Sequence, residues 1–341
     1  MLYSFDAVIF LPDRPVKERA CVEMLQDSSI EVIYPNSEHD LTIEQQLAEL
    51  LPIVDLAWVC RPHLYEKYAP SIRQQQNIKL IYDTVDLYYL RLQRQHKPEG
   101  NVIEDMRQWI SMQSRELKAA QEADLTITIS PVEQRILRDR GVNKLAVVPN
   151  IHRIYKGEKS GFLARQGLLY IGSGDCSNDN QSEKVTWLVR EIMPLIWSQI
   201  PELTLTLLES DPTVEIAALG KDSRIKITEM SSALTSHLLQ HRVFINPLVN
   251  DANIKEKIGE SLRLGLPVVS TTAGISGMNL VNEQDVLEAN RSNEFAKQIL
   301  RLYNNKELWQ QLAKNGAQTI ANFSPQATGR VIQPILESIL V

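Results

Sequence analysis

Glycine is missing from the first 99 residues: the 341-residue chain has 14, and the first is Gly100. A GxGxxG loop that cradles phosphates after an opening strand therefore cannot form there, which excludes a dinucleotide site of that kind in the N-terminal part. Cysteine is almost as scarce. Cys21, Cys60 and Cys176 are odd in number and never form a CxxC pair. They supply neither a disulfide framework nor a zinc-ligand spacing, and a reduced cytosolic protein is the expectation. Apolar runs are short, none near the roughly 18 residues of a membrane-spanning helix. The opening MLYSFDAVIFLPDRP has no basic n-region and no small-residue cleavage site, so it does not read as a signal peptide.

A basic surplus is absent too. Lys and Arg total 36 against 42 Asp and Glu, a net charge of −6. Residues 1–150 hold 17 basic and 22 acidic side chains, the remainder 19 and 20, so neither part suits a nucleic acid partner. What is present is ordinary globular material, 43% hydrophobic and 23% charged. At roughly 150 residues per domain the length suggests two domains.

Short apolar runs alternate with amphipathic helices, the pattern of parallel sheets built from βαβ units. Strands are expected at 5–12, 30–35, 56–60, 78–85, 125–130 and 145–150. The polar stretch IHRIYKGEKSGFLARQG (151–167) reads as a linker. The pattern then restarts, with strands at 168–173, 203–210, 225–230, 243–248 and 267–271. Helices are expected at 42–51, 103–123, 183–199, 232–241, 255–264, 292–303, 305–321 and 325–340. The fold class is α/β, with two doubly wound Rossmann-like domains, 1–150 and 151–324, facing across a cleft, and a final helical segment, 325–341. In such folds ligands bind where strand C-termini point.

The stretch NPLVNDANIKEKIGESLRLGLPVVSTTAGISGM (246–278) carries the most chemistry. Lys255 and Lys257 fall in the first turn of a helix, where free N–H groups already favour an anion. Two cations there suit a diphosphate, and Glu260, a turn further on, suits the vicinal diol of a ribose. TTAGISG (271–277) adds hydroxyls and mobile backbone at the next strand end. The same spacing also fits a solvated amphipathic helix and an ordinary loop.

The segment DANIKEKIGESLRLGLPVVSTTAGISG (251–277) resembles GxGIKxKxxEAxxxGLPVVxTxxGxxG, a signature of family 4 retaining glycosyltransferases of the GT-B fold, in a bacterial surface-polysaccharide-type subgroup. IYDTVDLYYLRLQR (81–94), ELKAAQEADLTITISPVE (116–133), VVPN (147–150), LLYIGS (168–173), WLVREIMPLIW (187–197) and FAKQILRLYNN (295–305) are similar to the same subgroup.

The resemblance implies transfer of a sugar from a nucleotide-sugar donor, UDP-linked, to a hydroxyl of a glycan or glycolipid acceptor, with retention. No cofactor and no metal is expected. Lys255 and Lys257 would hold the diphosphate. Glu260 would bind the ribose as the second glutamate of a Glu-x7-Glu motif. Gly172 and Ser173 would form the turn near the phosphates, and Thr271, Thr272, Gly274 and Gly277 would line the nucleotide and sugar pocket. Domain 1–150 would be the acceptor side, with Asp86 facing the reacting sugar, and 151–324 the donor side. The helix of 325–341 would cross back to the N-terminal domain. A cytoplasmic protein, able to associate with the inner membrane surface, fits this reading.

The chain also departs from the pattern. Ala252 stands where the first glutamate belongs, GSGDCSNDNQSE lacks the family's arginine and lysine, Asn180-Gln181 replaces a Pro-Asn pair, and no Gly-rich loop opens the N-terminal domain. A non-catalytic glycosyltransferase-like binding or scaffold protein is the alternative.

Other residues admit two readings. Asp83 and Asp86 end a strand and suit a ligand, or a helix N-cap. Arg91, on the acceptor side, forms with Arg94 and Lys97 a basic run that would steer an anionic acceptor, or a solvated loop face. Arg61-Pro62 closes the third strand, and Glu116 suits either a site or a surface ion pair. His39, His63, His96, His152, His237 and His241 show no metal spacing, and His237 and His241 read as helix-surface residues.

Overall fold

The computed structural model describes residues 8–12, 19–28, 30–33, 42–95, 102–172, 180–210, 212–229, 234–247 and 254–340. They form two compact units. One holds the described parts of Met1–Gln93, Pro98–Val148 and Gly329–Val341, the other those of Arg94–Lys97 and Pro149–Thr328.

The first unit contains strands β1 (Ile9–Phe10), β2 (Glu31–Val32), β3 (Leu56–Cys60), β4 (Lys79–Asp83), β5 (Leu125–Thr128) and β6 (Leu145–Val147). Its helices are α1 (Arg19–Asp27), α2 (Ile43–Leu50), α3 (Pro62–Ile72), α4 (Tyr88–Gln95), α5 (Val102–Glu122) and α6 (Pro131–Arg138). All pairings are parallel: β1 with β2, and a separate sheet in the order β3-β4-β5-β6. Successive side chains of β4 enter different cores, as the two-residue period of a strand requires. Leu80 and Tyr82 pack with Tyr65, Ile72, Ala119 and Leu137, while Ile81 packs with Ile127, Ala146, Ile332 and Leu336. The last two belong to α15 (Pro325–Leu340), whose residues from Gly329 on lie in this unit.

The second unit contains β7 (Leu168–Ile171), β8 (Leu205–Glu209), β9 (Ile225–Glu229), β10 (Val243–Asn246), β11 (Val268–Ser270) and β12 (Leu287–Glu288). Between them run α7 (Asn180–Trp187), α8 (Met193–Trp197), α9 (Val214–Leu219), α10 (Leu234–Gln240), α11 (Ile254–Arg263) and α12 (Thr272–Ile275), followed by α13 (Ser292–Asn304) and α14 (Lys306–Ala321). The all-parallel sheet has the order β12-β11-β10-β7-β8-β9. This is the doubly wound order, reversing direction between β7 and β10. Both faces are covered, so β7 and β10 are buried throughout and read as unbroken apolar runs. Leu168 and Tyr170 pack with Leu188, Ile192 and Phe295, whereas Leu169 and Ile171 pack with Ile258, Leu262 and Ile320.

Several expected boundaries move. The strand expected to Val85 ends at Asp83, because Val85 takes a left-handed φ of +61° that no strand continues. Ser130 is not strand but the N-cap of α6, its hydroxyl accepting from the Glu133 N–H. The helix expected over 183–199 contains a π-helical turn, Leu188–Ile192, with the Met193 N–H bonded to Leu188 O. Pro194 explains it: proline has no N–H for the carbonyl four residues back and its ring crowds that carbonyl, so the ladder widens. β12 escaped the sequence reading because two residues make no apolar run. The stretch 151–167 is no free linker, since His152 and Arg165 are both buried.

Candidate functional site

In the second unit the strand ends converge. β7 and β10 are adjacent and their following connections go to opposite sides, which leaves a crevice at their C-terminal ends. Gly172 follows β7, Glu209 ends β8, Asn246 ends β10 and Thr271 follows β11.

Helix α11 follows β10 and brings Lys257 to this edge, where its ammonium donates to the carbonyl of Gly172. The Gly172 N–H is bonded to Leu208 O at 2.8 Å. Glu209 is buried, and burial pushes its carboxyl up to about 7 against the pull of the Lys257 charge. Lys255 stands in the first turn of α11, partly exposed. Ser173 lies outside the described residues.

Glu260 is held from both sides. Its Oε1 lies 3.4 Å from His152 Nδ1, and its Oε2 is 2.5 Å from the Arg263 guanidinium. Burial raises its carboxyl, but the hydrogen bonds from His152 and Arg263 outweigh that and leave it below the ordinary range. A carboxylate has about four lone-pair sites, so two remain for a diol.

Thr271 caps the short α12, its hydroxyl accepting from the Gly274 N–H at 3.2 Å. Thr272 is tied to β12: its N–H donates to Asn290 Oδ1 at 3.1 Å, and its hydroxyl bonds Glu288 and Asn290. Gly274 sits against the Asn246–Ser270 hydrogen bond (2.8 Å), where a Cβ would overlap both side chains. Gly277 has φ +79°, a conformation glycine adopts without strain. The structure thus brings Gly172, Lys257 and Glu209 together, and gives the two threonines structural partners.

In the first unit Asp86 follows β4 and is buried, with Arg61 Nη1 at 3.9 Å and Arg91 Nη1 at 3.7 Å. Asp83 is the last residue of β4. Its Oδ1 accepts from the Val85 N–H at 2.9 Å and its Oδ2 from the Trp58 indole at 3.0 Å, while burial pushes the carboxyl up. Arg91 belongs to α4 rather than to a solvated loop. Its guanidinium stacks over Tyr88 at 4.2 Å and its side chain is largely buried. Nothing of the Arg94 side chain is described, and Lys97 lies outside the described residues.

Glu116 is no surface residue. It is fully buried and accepts the N–H groups of Tyr88 (2.9 Å) and Tyr89 (2.8 Å), capping α4 from another helix. Burial pushes its carboxyl up to about 7 despite those bonds. His241, read as a surface residue, is buried too, donating from Nδ1 to His237 O and accepting at Nε2 from Thr206, both at 2.8 Å. Among the described residues no group of three or more His, Cys, Asp or Glu side chains is placed to hold a metal ion.

Glu209, His152, Arg263 and Asn246 were not singled out in the sequence. Glu209 was findable by the rule applied to Asp83, a carboxylate ending an apolar strand. Arg263 was findable as well, three residues past Glu260 on the same helix; His152 was not, since it lies 108 residues from Glu260 and only packing brings them together.

Residues 165–305 match the family of glycosyl transferases group 1. The matched stretch holds β7 to α13, and with them Gly172, Glu209, Lys257 and Glu260. Solved structures agree on the fold. HepE of Anabaena in complex with UDP aligns at TM-score 0.69 and 16% identity, covering 97% of this chain and 100% of that one. Sucrose-phosphate synthase of Thermosynechococcus elongatus aligns at 0.68 and 17%, covering 97% and 88%. TarM aligns at 0.65 and 13% over 87% of this chain, which spans 58% of TarM. The architecture is that of the GT-B glycosyltransferases, two Rossmann-like domains. No curated protein sequence matches the chain. No helix among the described residues is long and apolar enough to cross a membrane.

Proposed function

We propose that the chain is a retaining glycosyltransferase that moves a sugar from a UDP-linked donor to a hydroxyl of a glycan or glycolipid acceptor, without a metal ion. The observation that carries this reading is the bond from Lys257 to the Gly172 carbonyl, at the sheet's switch point and within the stretch that matches glycosyl transferases group 1. Glycosyl transfer releases a diphosphate from an oxocarbenium-like centre, so catalysis depends on cations already aimed at the departing charge. Lys257 and Lys255 would take that role, with Lys257 exchanging the Gly172 carbonyl for a phosphate oxygen. Glu260, oriented by His152 and Arg263, would accept from the ribose hydroxyls.

The first unit would supply the acceptor side, with Asp86 turned to the reacting sugar. The UDP in the HepE structure supports a uridine nucleotide. Surface polysaccharide or glycolipid assembly, in the cytoplasm at the membrane surface, is the setting that goes with it.

Thermal stabilisation by a panel of nucleoside diphosphates and nucleotide sugars tests the reading. A ligand at 100 times its Kd adds about 2.7 kcal/mol of stability. Selective stabilisation by uridine nucleotides, lost in Lys257→Ala and reduced in Lys255→Ala, is expected. Folded protein that no nucleotide stabilises would instead be a glycosyltransferase-like binding or scaffold protein.

A further inference from the structure

We propose that Arg61, Asp86 and Arg91 form a binding site for a phosphate ester that also carries hydroxyl groups, so that the acceptor is an anionic polyol or sugar phosphate. The inference rests on the glycosyltransferase reading for the word acceptor, but the site itself stands on geometry within the first unit.

Asp86 is 6% exposed, and its buried Oδ2 makes no hydrogen bond. The nearest cations, Arg61 at 3.9 Å and Arg91 at 3.7 Å, are ion-paired with it but too distant to bond. Neither guanidinium hydrogen-bonds any described residue, although only 16% of the Arg91 side chain is exposed. A buried carboxylate oxygen without a hydrogen-bond donor is costly.

The backbone holds this arrangement at a cost. Arg61 has φ +69° and Val85 φ +61°, and the two loops are joined by the bond from the Arg61 N–H to Asp83 O at 2.8 Å. Such conformations in non-glycine residues cluster at ligand sites. Arg61 is also the N-cap of α3, a helix start with no side-chain cap and with Pro62, which has no N–H, at its first position. The start of α4 is different, because Glu116 takes its N–H groups; there the anion must be met by the Arg91 side chain, which Tyr88 holds in place. A ligand that satisfies the whole set donates a hydroxyl to the Asp86 carboxylate and offers phosphate oxygens to the arginines, as charge-assisted and partly bidentate bonds.

The test is titration calorimetry of the full chain with glycerol 3-phosphate, glycerol and inorganic phosphate, with UDP run on the same preparation. Glycerol 3-phosphate should bind better than either fragment. Arg61→Gln and Arg91→Gln should each weaken it about tenfold or more, the loss of a charged hydrogen bond. Asp86→Asn should keep phosphate binding and lose the preference for the polyol. Arg61 is 40% exposed, so its variant keeps the test valid if Arg91→Gln fails to fold. A second arm replaces the soluble ester by phosphatidylglycerol vesicles, with phosphatidylcholine as control. Sedimentation with the first alone, lost in Arg61→Gln, assigns a lipid headgroup; soluble binding without it assigns a free ester. Absence of both, or binding that Arg61→Gln leaves unchanged, overturns the proposal. UDP binding alongside that absence leaves the donor reading intact, and ester binding without UDP binding does the reverse.

Discussion

The imidazole of His152 lies with Nδ1 3.4 Å from Glu260 Oε1, and it fits there because residue 259 is glycine. A Cβ at Gly259 would overlap Nε2 and Cε1 of that buried ring. The ring has nowhere to go, since its residue is only 2% exposed and its backbone N–H is bonded to Phe323 O at 2.9 Å.

Gly259→Ala should therefore destabilise the second unit by about 1–3 kcal/mol, the usual penalty of overpacking. By displacing His152 from Glu260 it should also weaken stabilisation by UDP more than the loss of stability alone accounts for. Calorimetric melting with and without UDP measures both.

Glu209 gives a pH dependence of known sign. Its carboxyl, ordinarily 4.5, is pushed up to about 7 by burial. Between those values the native state keeps a proton that the unfolded chain has lost. Its contribution to stability is full below about pH 4.5 and disappears as the pH rises to about 7. The whole effect is at most about 3 kcal/mol. Glu116 adds a slope of the same sign, because burial pushes its carboxyl up to about 7 as well. Glu209→Gln should show a smaller fall in Tm from pH 5 to 7.5 than the parent chain; equal slopes in the two would refute the assignment.

Glu116→Ala removes the acceptor for two N–H groups, those of Tyr88 and Tyr89. Each unsatisfied donor costs about 1–3 kcal/mol. Loss of about 2–5 kcal/mol is expected, with hydrogen exchange accelerated at residues 88–92 before the rest of the unit. Glu116→Gln, which keeps one acceptor oxygen, should recover part of it.

Arg165→Met tests a buried cation with no acidic partner among the described residues. Its guanidinium is bonded to the carbonyls of Ser160, Leu238, His241 and Leu264, and burial lowers it to about 10. Leu238 lies in the last turn of α10 and Leu264 just past α11, so one side chain serves two helix C-termini. Its loss should cost at least about 3 kcal/mol and loosen α11, lowering UDP affinity as well. Urea denaturation followed by tryptophan fluorescence is a suitable readout, because Trp309 lies 5.5 Å from that guanidinium.

Strand placement was legible because a parallel sheet covered on both faces needs apolar runs such as LLYI and VFIN, and such runs have few other uses. The α11 segment was legible for a similar reason, with Lys257 one turn before Glu260 on an amphipathic helix. Boundaries failed where a local conformation overrode the run, as at Val85, or where proline rewrote the helical ladder, as at Pro194.

The sequence by itself determined the α/β class, the restart of the βα pattern after residue 167, and the helix that carries the two lysines, because these follow from periodicity and composition. The tertiary structure alone decided which polar groups meet. Lys257 reaches a carbonyl 85 residues away, Glu116 caps a helix 28 residues before it, and Glu260 meets a histidine 108 residues distant. Local pattern encodes which face of an element is buried; it does not encode which element comes to lie against that face. Partners for buried charges are therefore fixed only when strand order closes the sheet.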